Sequence, residues 1–371
     1  MTGSALPVGK FPVDLLRRLL ARFAETRDPR VVVGSGIGLD AAAIRLGSSV
    51  LVAKTDPITF VADEIGTYAL LVNVNDLAAM GAIPKWFLAT VLLPARSTTA
   101  PSVYRLFSQL HTICRRLHMS LCGGHSEITD AVTRPVVVGC LLGECVPDEI
   151  VTAAGARVGD AVLLTKGLAI EAVSILARER AEEIRRRHGA RFLARCRNYL
   201  TKPGLSVLKE AQIALAAGGV HAMHDPTEGG LSSALYELAE AAKVGVKIET
   251  DTIRILPEAA QLCSDFELNP LGVIASGALL ITIDPAFEGR TLARLRAARI
   301  PATRIGTVVA RRNGVTLIED GRVRPFPRFA VDEMAKFFQR SSVRWRKRID
   351  PEKSKLRVEG HAATITVEAR R

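Results

Sequence analysis

The sequence predicts a two-domain α+β protein. A chain of 371 residues with 48% hydrophobic side chains is long enough for two cores. Strand-like and helix-like segments alternate without the strict rhythm of a doubly wound sheet. A loop-like segment near residue 153 separates two such mixtures. The predicted parts are an N-terminal α/β domain (1–152), a C-terminal α+β domain (153–335) and a basic extension (336–371).

The first half begins with an amphipathic helix and continues with strands around a glycine-rich turn. The spacing of apolar residues predicts the helix at VDLLRRLLARFAE and strands at VVV and SSVLVAKTDPITF. The segment from Asp63 predicts a second helix, which ends at the helix breakers Gly81 and Pro84. The remaining segments are, in order, the strand FLATVLLP, the helix VYRLFSQLHTICRRLHM, the strand with a turn SLCGGHSEITD, and the strand RPVVVGCLLGEC.

The second half repeats this mixture. AAGARVGDAVLLTKG predicts a loop that leads into a strand, and arginine-rich helices follow it. The glycine pair in HDPTEGGLSSALYELAEAA opens a further helix, and GVKIET predicts a strand after that helix. A long apolar segment, LGVIASGALLITI, comes next.

Composition and charge exclude several classes of protein. The sequence has no run of eighteen apolar residues and no signal peptide at its start, so we expect a cytoplasmic protein without membrane contact. The net charge is +12, and more than half of it comes from residues 336–371. Because neither this tail nor the arginine-rich helices show a zinc pattern or a recognition helix, nucleic acid is not the expected partner. The tail is instead a candidate docking segment for a protein partner.

Three aspartates in the first half fall at the ends of consecutive elements: Asp40, Asp56 and Asp76. Unpaired carboxylates are costly near a core, so several of them together call for a cation. Hard divalent ions, Mg²⁺ above all, take oxygen ligands and bridge carboxylates to phosphates. The alternative is that each aspartate caps a helix or a turn. Three acids beside glycine turns favour the metal site.

A glycine-rich turn is a candidate for contact with phosphate. GSGIG, which contains Gly36 and Gly38, matches neither a dinucleotide-binding motif nor a Walker motif, so a nucleotide must be held in another way. Lys54, close to Asp56, reaches a phosphate in one interpretation and is a surface lysine at a strand end in the other.

A second candidate anion site lies in the second half. HDPTEGGL places Asp225 and Thr227 before Gly229 and Gly230, which open a helix. The free N–H groups of a helix N-terminus bind anions, and glycine permits close approach. A helix capped by Thr227 fits the same pattern, and the two interpretations are compatible.

These segments together resemble a known family. The motifs GIGLDAA, KTDP, DEIG, NVNDLAAMGAIP, GGHSEIT, RPVVVG and HDPTEGGL occur in the order and approximate spacing of the aminoimidazole ribonucleotide synthetase (PurM) ATP-binding superfamily. That superfamily includes thiamine-monophosphate kinase, selenophosphate synthetase and the hydrogenase maturation factor HypE. The resemblance covers roughly residues 8–335 and is greatest for the HypE branch, through DPTEGGL and NPLGVIASGALLITI.

The resemblance implies a PurM-like fold and a mode of ATP binding. The N-terminal domains of two chains would pair their strands into a dimer barrel, so we expect a homodimer. ATP and Mg²⁺ would lie in the cleft between the two domains. Matched residue by residue, the acids of the metal–phosphate site are Asp40, Asp56, Asp76 and Asp225, of which Asp225 lies nearer the reacting group and is the expected catalytic acid. Asn75, Gly123 and Gly124 would complete the phosphate cradle.

The sequence departs from the family pattern in several places, among them Leu39 and Ser126, which replace an acid and a threonine of the family motifs. His125 replaces the acid of the family's GG[DE]T motif. Because histidine is a poor Mg²⁺ ligand, Glu127 is the expected substitute ligand, and His125 contacts phosphate, carries a proton or forms a hydrogen bond within a turn. HypE carries a carbamoyl group on a terminal cysteine, whereas this sequence ends in TITVEARR and its last cysteine is Cys263, so we expect an altered substrate.

The expected function is therefore a Mg²⁺-dependent, ATP-using reaction. ATP would activate or dehydrate a carbamoyl-type or amide-type oxygen on a small-molecule or protein-borne acceptor, through positioning and electrostatic stabilisation. Two alternatives stay open: a small-molecule kinase of the thiamine-monophosphate kinase type, and a non-catalytic nucleotide-binding module.

Overall fold

Two β-sheets, one in each half of the chain, organise the fold. The computed structural model describes residues 6–340. The elements of the first half are α1 (Val13–Phe23), β1 (Val31–Val33), β2 (Ala42–Leu46), β3 (Ser49–Ile58), α2 (Ile65–Ala79), β4 (Ile83–Pro94), α3 (Ala100–Arg116), β5 (Ser120–Thr129) and β6 (Val136–Cys145). Their strands form one sheet in the order β1-β2-β3-β6-β4-β5, antiparallel except for the β4–β5 pair.

The second half has its own sheet. Its elements are β7 (Ala161–Thr165), α4 (Ile170–Glu179), α5 (Ala181–Asn198), α6 (Leu208–Ala217), β8 (Val220–His224), α7 (Gly230–Ala242), β9 (Gly245–Glu249), α8 (Pro257–Asp265), β10 (Leu280–Ile283), α9 (Pro285–Ala297), β11 (Ala302–Val309), β12 (Val315–Glu319) and β13 (Arg322–Pro325). The sheet order is β13-β12-β9-β11-β7-β10-β8. The predicted two-domain α+β fold is confirmed, and the predicted boundary at residue 152 falls between the two sheets.

Helix α2 is one of the elements that join the two halves. All of its residues are buried, in agreement with its all-round apolar sequence. The polar side chains that it carries must therefore find partners inside the protein. The side-chain amide of Asn75 donates to the carbonyl oxygen of Leu205 (2.9 Å) and accepts from the backbone N–H of Val207 (2.9 Å). These two hydrogen bonds attach α2 to the loop before α6 in the second domain.

The strand β5 differs from its prediction. Where a strand and a turn are expected, a single strand runs from Ser120 to Thr129. Gly123 and Gly124 have φ of 151° and 139° and stay within the pairing with β4. A Cβ on Gly124 would lie 2.0 Å from the carbonyl oxygen of Ala89, so this close approach of the two strands requires glycine.

One further expectation about the second half is corrected, and the predicted boundary at residue 335 can be placed on the structure. The apolar segment LGVIASGALLITI contains only the short strand β10, because Gly277 (φ 104°) turns the chain just before it. The predicted boundary at residue 335 falls inside a helix over 333–340, whose Phe337 and Phe338 pack against the core. Residues 341–371, most of the predicted basic extension, lie outside the described residues.

Helix α1 lies against the second domain. It buries none of its residues completely, and Arg17 holds it there through a bidentate contact with Glu240 of α7 (2.8 and 2.9 Å). Among residues 6–340, no helix combines the length and the apolar character needed to cross a lipid bilayer.

Candidate active site

Four aspartates and one lysine from both domains form a cluster, here called the acidic site. Its members are Asp40 in the loop before β2, Lys54 and Asp56 on β3, Asp76 in the last turn of α2, and Asp225 directly after β8. The first domain thus contributes four of them and the second domain contributes Asp225. Asp40, Asp76 and Asp225 are buried, whereas the side chain of Asp56 is 29% exposed.

Lys54 lies between two of these acids. Lys54 and Asp56 are two residues apart on β3, which places both side chains on one face of the sheet. The Lys54 Nζ atom lies 2.9 Å from Oδ1 of Asp76 and 3.4 Å from Oδ2 of Asp56. Burial lowers the pKa of Lys54, but the charges of Asp76 and Asp56 outweigh it and raise that pKa above its usual value. The ammonium group therefore stays charged.

The strand β3 also differs from the expectation for Asp56. The strand continues to Ile58, so Asp56 lies inside it and not at its end. Its backbone N–H donates to the side-chain oxygen of Asn73 on α2 (3.1 Å). This contact fixes β3 against α2 and so sets the distance between Asp56 and Asp76.

Asp40 is held by a buried histidine that the sequence analysis did not identify. His224 Nδ1 lies 2.6 Å from Oδ1 of Asp40, and His224 Nε2 lies 2.9 Å from Oε2 of Glu237 on α7. Burial lowers the pKa of His224, but the two carboxylates outweigh it and raise that pKa well above its usual value. The imidazolium then donates to both acids. One oxygen of Asp40 is thereby fixed, and the other is left without a partner.

Several buried carboxylate oxygens in the acidic site have no protein partner. Both oxygens of Asp225 are buried and unpaired, as are Oδ2 of Asp40 and Oδ2 of Asp76. Burial, followed by the charge of Asp40, raises the pKa of Asp225 to about 7. Burial likewise raises the pKa of Asp76 well above its usual range, although Lys54 opposes this shift. Unpaired buried carboxylates are expensive, so their arrangement calls for a cation.

The donor set fits a hard divalent ion. Ligand atoms of Asp40, His224 and Asp225 lie within 4.8 Å of one another. Because both ring nitrogens of His224 already contact carboxylates, the atoms free to bind an ion are the oxygens of Asp40 and Asp225. Oxygen donors of this kind suit Mg²⁺ or Mn²⁺.

The glycine-rich turn brings Asp40 to the second domain. Gly38 has φ of 75°, and a Cβ at this position would lie 2.5 Å from the carbonyl oxygen of Glu237. A side chain at residue 38 would therefore push the turn away from α7 and separate Asp40 from His224. At Gly36 a Cβ would lie 2.7 Å from the side chain of Leu39, within the same turn.

A lysine from the N-terminal segment lies beside the acidic site. The Lys10 Nζ atom donates to the hydroxyl of Thr227 (3.0 Å) and lies 3.8 Å from Glu237. Burial raises the pKa of Glu237, but the charges of Lys10 and His224 outweigh it and lower that pKa to about 2. Thr227 thus contacts Lys10 and does not cap α7, which begins after Gly229 without a side-chain cap.

The predicted anion site at the start of α7 has partners within the chain. The backbone N–H of Gly229 donates to Oδ2 of Asp332 (2.7 Å), and that of Gly230 donates to the carbonyl oxygen of Thr227 (2.9 Å). Asp332 lies more than one hundred residues away in the sequence, which is why local sequence patterns did not identify it. A phosphate contact by Gly229 or Gly230 stays a prediction and would have to displace these bonds.

The side-chain amide of Asn75 is used by the second domain, and Gly124 of β5 lies apart from Asp56 in the same chain. Both polar atoms of the Asn75 amide are bonded to the loop before α6. Across the sheet, Asp56 pairs with Gly139, Gly139 with Ala89, and Ala89 with Gly124. Three strand spacings therefore separate Asp56 from Gly124, a distance of roughly 14 Å.

The other residues of β5 that the sequence singles out are exposed. Side-chain exposure is 67% for His125 and 49% for Glu127, and the two side chains lie 3.6 Å apart. Strand β5 forms an open edge of its sheet. The proposed roles of Gly123, Gly124, His125 and Glu127 stay predictions, and within one chain these residues do not reach the acidic site.

The fold and the acidic site define a two-domain α+β protein with a cluster of buried carboxylates where the domains meet. Two family models match the chain. The model described as AIR synthase related protein, N-terminal domain, matches residues 38–145, and the corresponding C-terminal domain model matches residues 157–318. The chain belongs to the AIR synthase related family, and the resemblance predicted from its motifs is confirmed.

Curated relatives include HypE proteins. A putative hydrogenase expression/formation protein of Methanocaldococcus jannaschii is 25% identical over 298 residues, which cover 78% of this chain and 84% of the relative. The carbamoyl dehydratase HypE of Cupriavidus necator is 28% identical over 295 residues, covering 77% of this chain and 78% of that protein.

Solved structures share the fold. HypE in complex with ATP superposes with a TM-score of 0.66 at 21% identity and covers 89% of this chain and 98% of its own. ThiL complexed with AMPPCP and TMP superposes with a TM-score of 0.65 at 21% identity, covering 84% of this chain and 94% of its own.

The raised pKa of Asp225 predicts how stability depends on pH without divalent ions. Asp225 releases its proton near pH 7 when folded but near 3.8 when unfolded, so ionisation opposes folding and stability falls as pH rises between these values. The Asp225→Asn variant lacks this penalty. At pH 8 we expect it to be more stable than the wild type by about 1 to 4 kcal/mol.

Thermal unfolding followed by circular dichroism between pH 5 and pH 8, in the presence of a chelator, measures this effect. Asp130→Asn, an exposed position, is the matched control and should follow the wild type. Parallel curves for the wild type and Asp225→Asn would contradict the burial of an ionised, unpaired Asp225.

Proposed function

We propose that the chain is a Mg²⁺-dependent enzyme that uses ATP to activate an oxygen atom of a carbamoyl-type or amide-type acceptor. The single observation that carries this proposal is the buried Asp225 carboxylate, which has no partner and has a ligand atom within 4.8 Å of one of Asp40. Membership of the AIR synthase related family and the likeness to an ATP-bound HypE support ATP as the nucleotide.

In this proposal Asp40 and Asp225 hold the divalent ion. The ion would offset the negative charge of the ATP phosphates, which is the chemistry that such ions supply in phosphoryl transfer. His224 keeps Asp40 oriented by occupying its other oxygen. Because Asp40 and Asp225 belong to different domains, the ion site depends on the domain arrangement that α2 and the Gly38 turn maintain.

The remaining residues bind and orient the nucleotide. Lys54 presents a charged ammonium group between Asp56 and Asp76, where a phosphate oxygen can accept from it. Lys10, from the N-terminal segment, adds a second ammonium group, which donates to the hydroxyl of Thr227. Catalysis in this proposal consists of positioning and of electrostatic stabilisation, so the chain needs no covalent nucleophile for the transfer.

We further propose that the enzyme acts as a homodimer through β5. This edge strand is exposed along almost its whole length, and Ile128 is 60% exposed on it. Open strand edges with apolar side chains are ready to pair with another chain. A second chain paired at β5 would bring Gly123, Gly124 and His125 of one chain toward the acidic site of the other. These residues could then make the phosphate contacts that the sequence predicts for them.

The acceptor defines two versions of the proposal. Likeness to carbamoyl dehydratase HypE favours a carbamoyl or amide oxygen on a small-molecule or protein-borne acceptor. The shared fold with ThiL complexed with AMPPCP and TMP favours a phosphorylated small molecule as the alternative. Both versions use the same ion site and predict ADP formation that depends on an acceptor.

Replacing Asp225 tests the proposed chemistry. We expect Asp225→Asn to lower Mg²⁺-dependent ADP formation by about 100-fold or more, because loss of one ion ligand removes electrostatic stabilisation of the transition state. The measurement is ADP release with carbamoylated peptides, carbamoyl phosphate and thiamine monophosphate as acceptors, with mass spectrometry of the products. Asp130→Asn should keep the wild-type rate. An Asp225→Asn variant as fast as the wild type would refute the proposal.

Replacing Ile128 tests the dimer. A lysine at this position places a charge on the exposed face of β5, so we expect Ile128→Lys to shift the molar mass in solution from two chains toward one and to lower activity in parallel. Sedimentation velocity measures the mass. Val323→Lys, on the exposed edge strand β13, is the matched control. A fully dimeric Ile128→Lys variant would contradict the proposed interface.

A further inference from the structure

Lys54 occupies the position between Asp56 and Asp76 where a metal ion could otherwise bind. Its Nζ atom lies 2.9 Å from Asp76 and 3.4 Å from Asp56, and the side chain is only 20% exposed. Both acids are residues that the sequence pattern predicts as metal ligands. In the structure they already share one cation, supplied by the chain itself.

The contacts divide the acidic site into two halves of different character. In one half, Lys54 lies between Asp56 and Asp76 and offsets one of their two negative charges. In the other half, the free oxygens belong to Asp40 and Asp225, and the only cationic group in contact with them among residues 6–340 is His224, on the far oxygen of Asp40. The first half keeps one unpaired oxygen, Oδ2 of Asp76, but the Lys54 ammonium group lies between its two acids. In the second half both oxygens of Asp225 and one oxygen of Asp40 are unpaired, so this half offers a divalent ion more oxygen ligands and no competing ammonium group of the described residues in contact with them.

The position of Lys54 itself opposes a second ion, because its ammonium group already lies within 2.9 Å of Asp76 and 3.4 Å of Asp56. A second divalent ion beside Lys54 would place two cations between Asp56 and Asp76, where repulsion opposes its binding.

We propose that Lys54 is a built-in cation that takes the place of a second divalent ion, so that each chain binds one divalent ion, between Asp40 and Asp225. This inference rests on the ion site of the proposed function and specifies its stoichiometry. Lys54 is part of the chain, so its charged ammonium group cannot dissociate as a metal ion can.

Counting bound Mn²⁺ tests the proposal without any assay of activity. Purified full-length chain, stripped of metal with a chelator, is titrated with Mn²⁺ in the absence of nucleotide, and free Mn²⁺ is followed by electron paramagnetic resonance. We expect one equivalent for the wild type. Lys54→Met releases Asp56 and Asp76 from their cation, so we expect a second equivalent to bind. Lys54→Arg keeps the charge and should stay at one equivalent.

A second pair of variants keeps the test valid if Lys54→Met does not fold. Asp56→Asn removes an acid that Lys54 already compensates, so we expect the Mn²⁺ dissociation constant to change by less than about threefold. Asp40→Asn removes a proposed ligand and should weaken binding by about 100-fold. A loss of more than tenfold in Asp56→Asn would overturn the role assigned to Lys54.

The outcomes separate this inference from the proposed function. Two equivalents in the wild type, or one equivalent in folded Lys54→Met, would overturn the inference and leave the ion site at Asp40 and Asp225 intact. No Mn²⁺ binding to the wild type would overturn that ion site itself. One equivalent in the wild type and two in Lys54→Met would support both.

Discussion

The structure depends on one constraint: carboxylates from both domains are buried together, and their charges must be compensated for the domains to stay in contact. Helix α2 carries Asp76 into this region and ties itself to the second domain through Asn75. The Gly38 turn brings Asp40 against α7, where His224 and Glu237 receive it. Lys54 compensates part of the charge. The oxygens of Asp225 are left for an ion. The same buried carboxylates therefore determine both the chemistry of the site and the packing of the domains.

The order and type of most elements could be predicted from the sequence because local signals determine them. The largely apolar stretch that becomes α2, the apolar and β-branched residues of β3 and the glycine pair before α7 each act within a few neighbouring residues. The family motifs identified Asp40, Asp56, Asp76 and Asp225 as one site, and the structure brings these four residues together. His224 could have been found, since it directly precedes Asp225 in a conspicuous motif and a histidine beside an acid is a plausible partner for another carboxylate.

Other features could not be predicted because they depend on contacts distant in sequence. Asp332 accepts a hydrogen bond from the backbone N–H of Gly229, a donor for which the sequence pattern predicts a phosphate contact. Lys10 reaches Thr227 across 217 positions. Asn75 is a hydrogen-bonding link between domains in the structure, whereas the motif alone assigned it to the phosphate cradle. The exposure of β5 is also a property of the whole sheet, since only the strand order shows that β5 forms an edge.

Anomalous diffraction from crystals grown with Mn²⁺ and a non-hydrolysable ATP analogue tests the central claim most directly. We expect one strong peak per chain, between the carboxylates of Asp40 and Asp225, with the ammonium group of Lys54 facing the phosphates. A principal peak between Asp56 and Asp76, or an ordered nucleotide with no metal near Asp225, would contradict it.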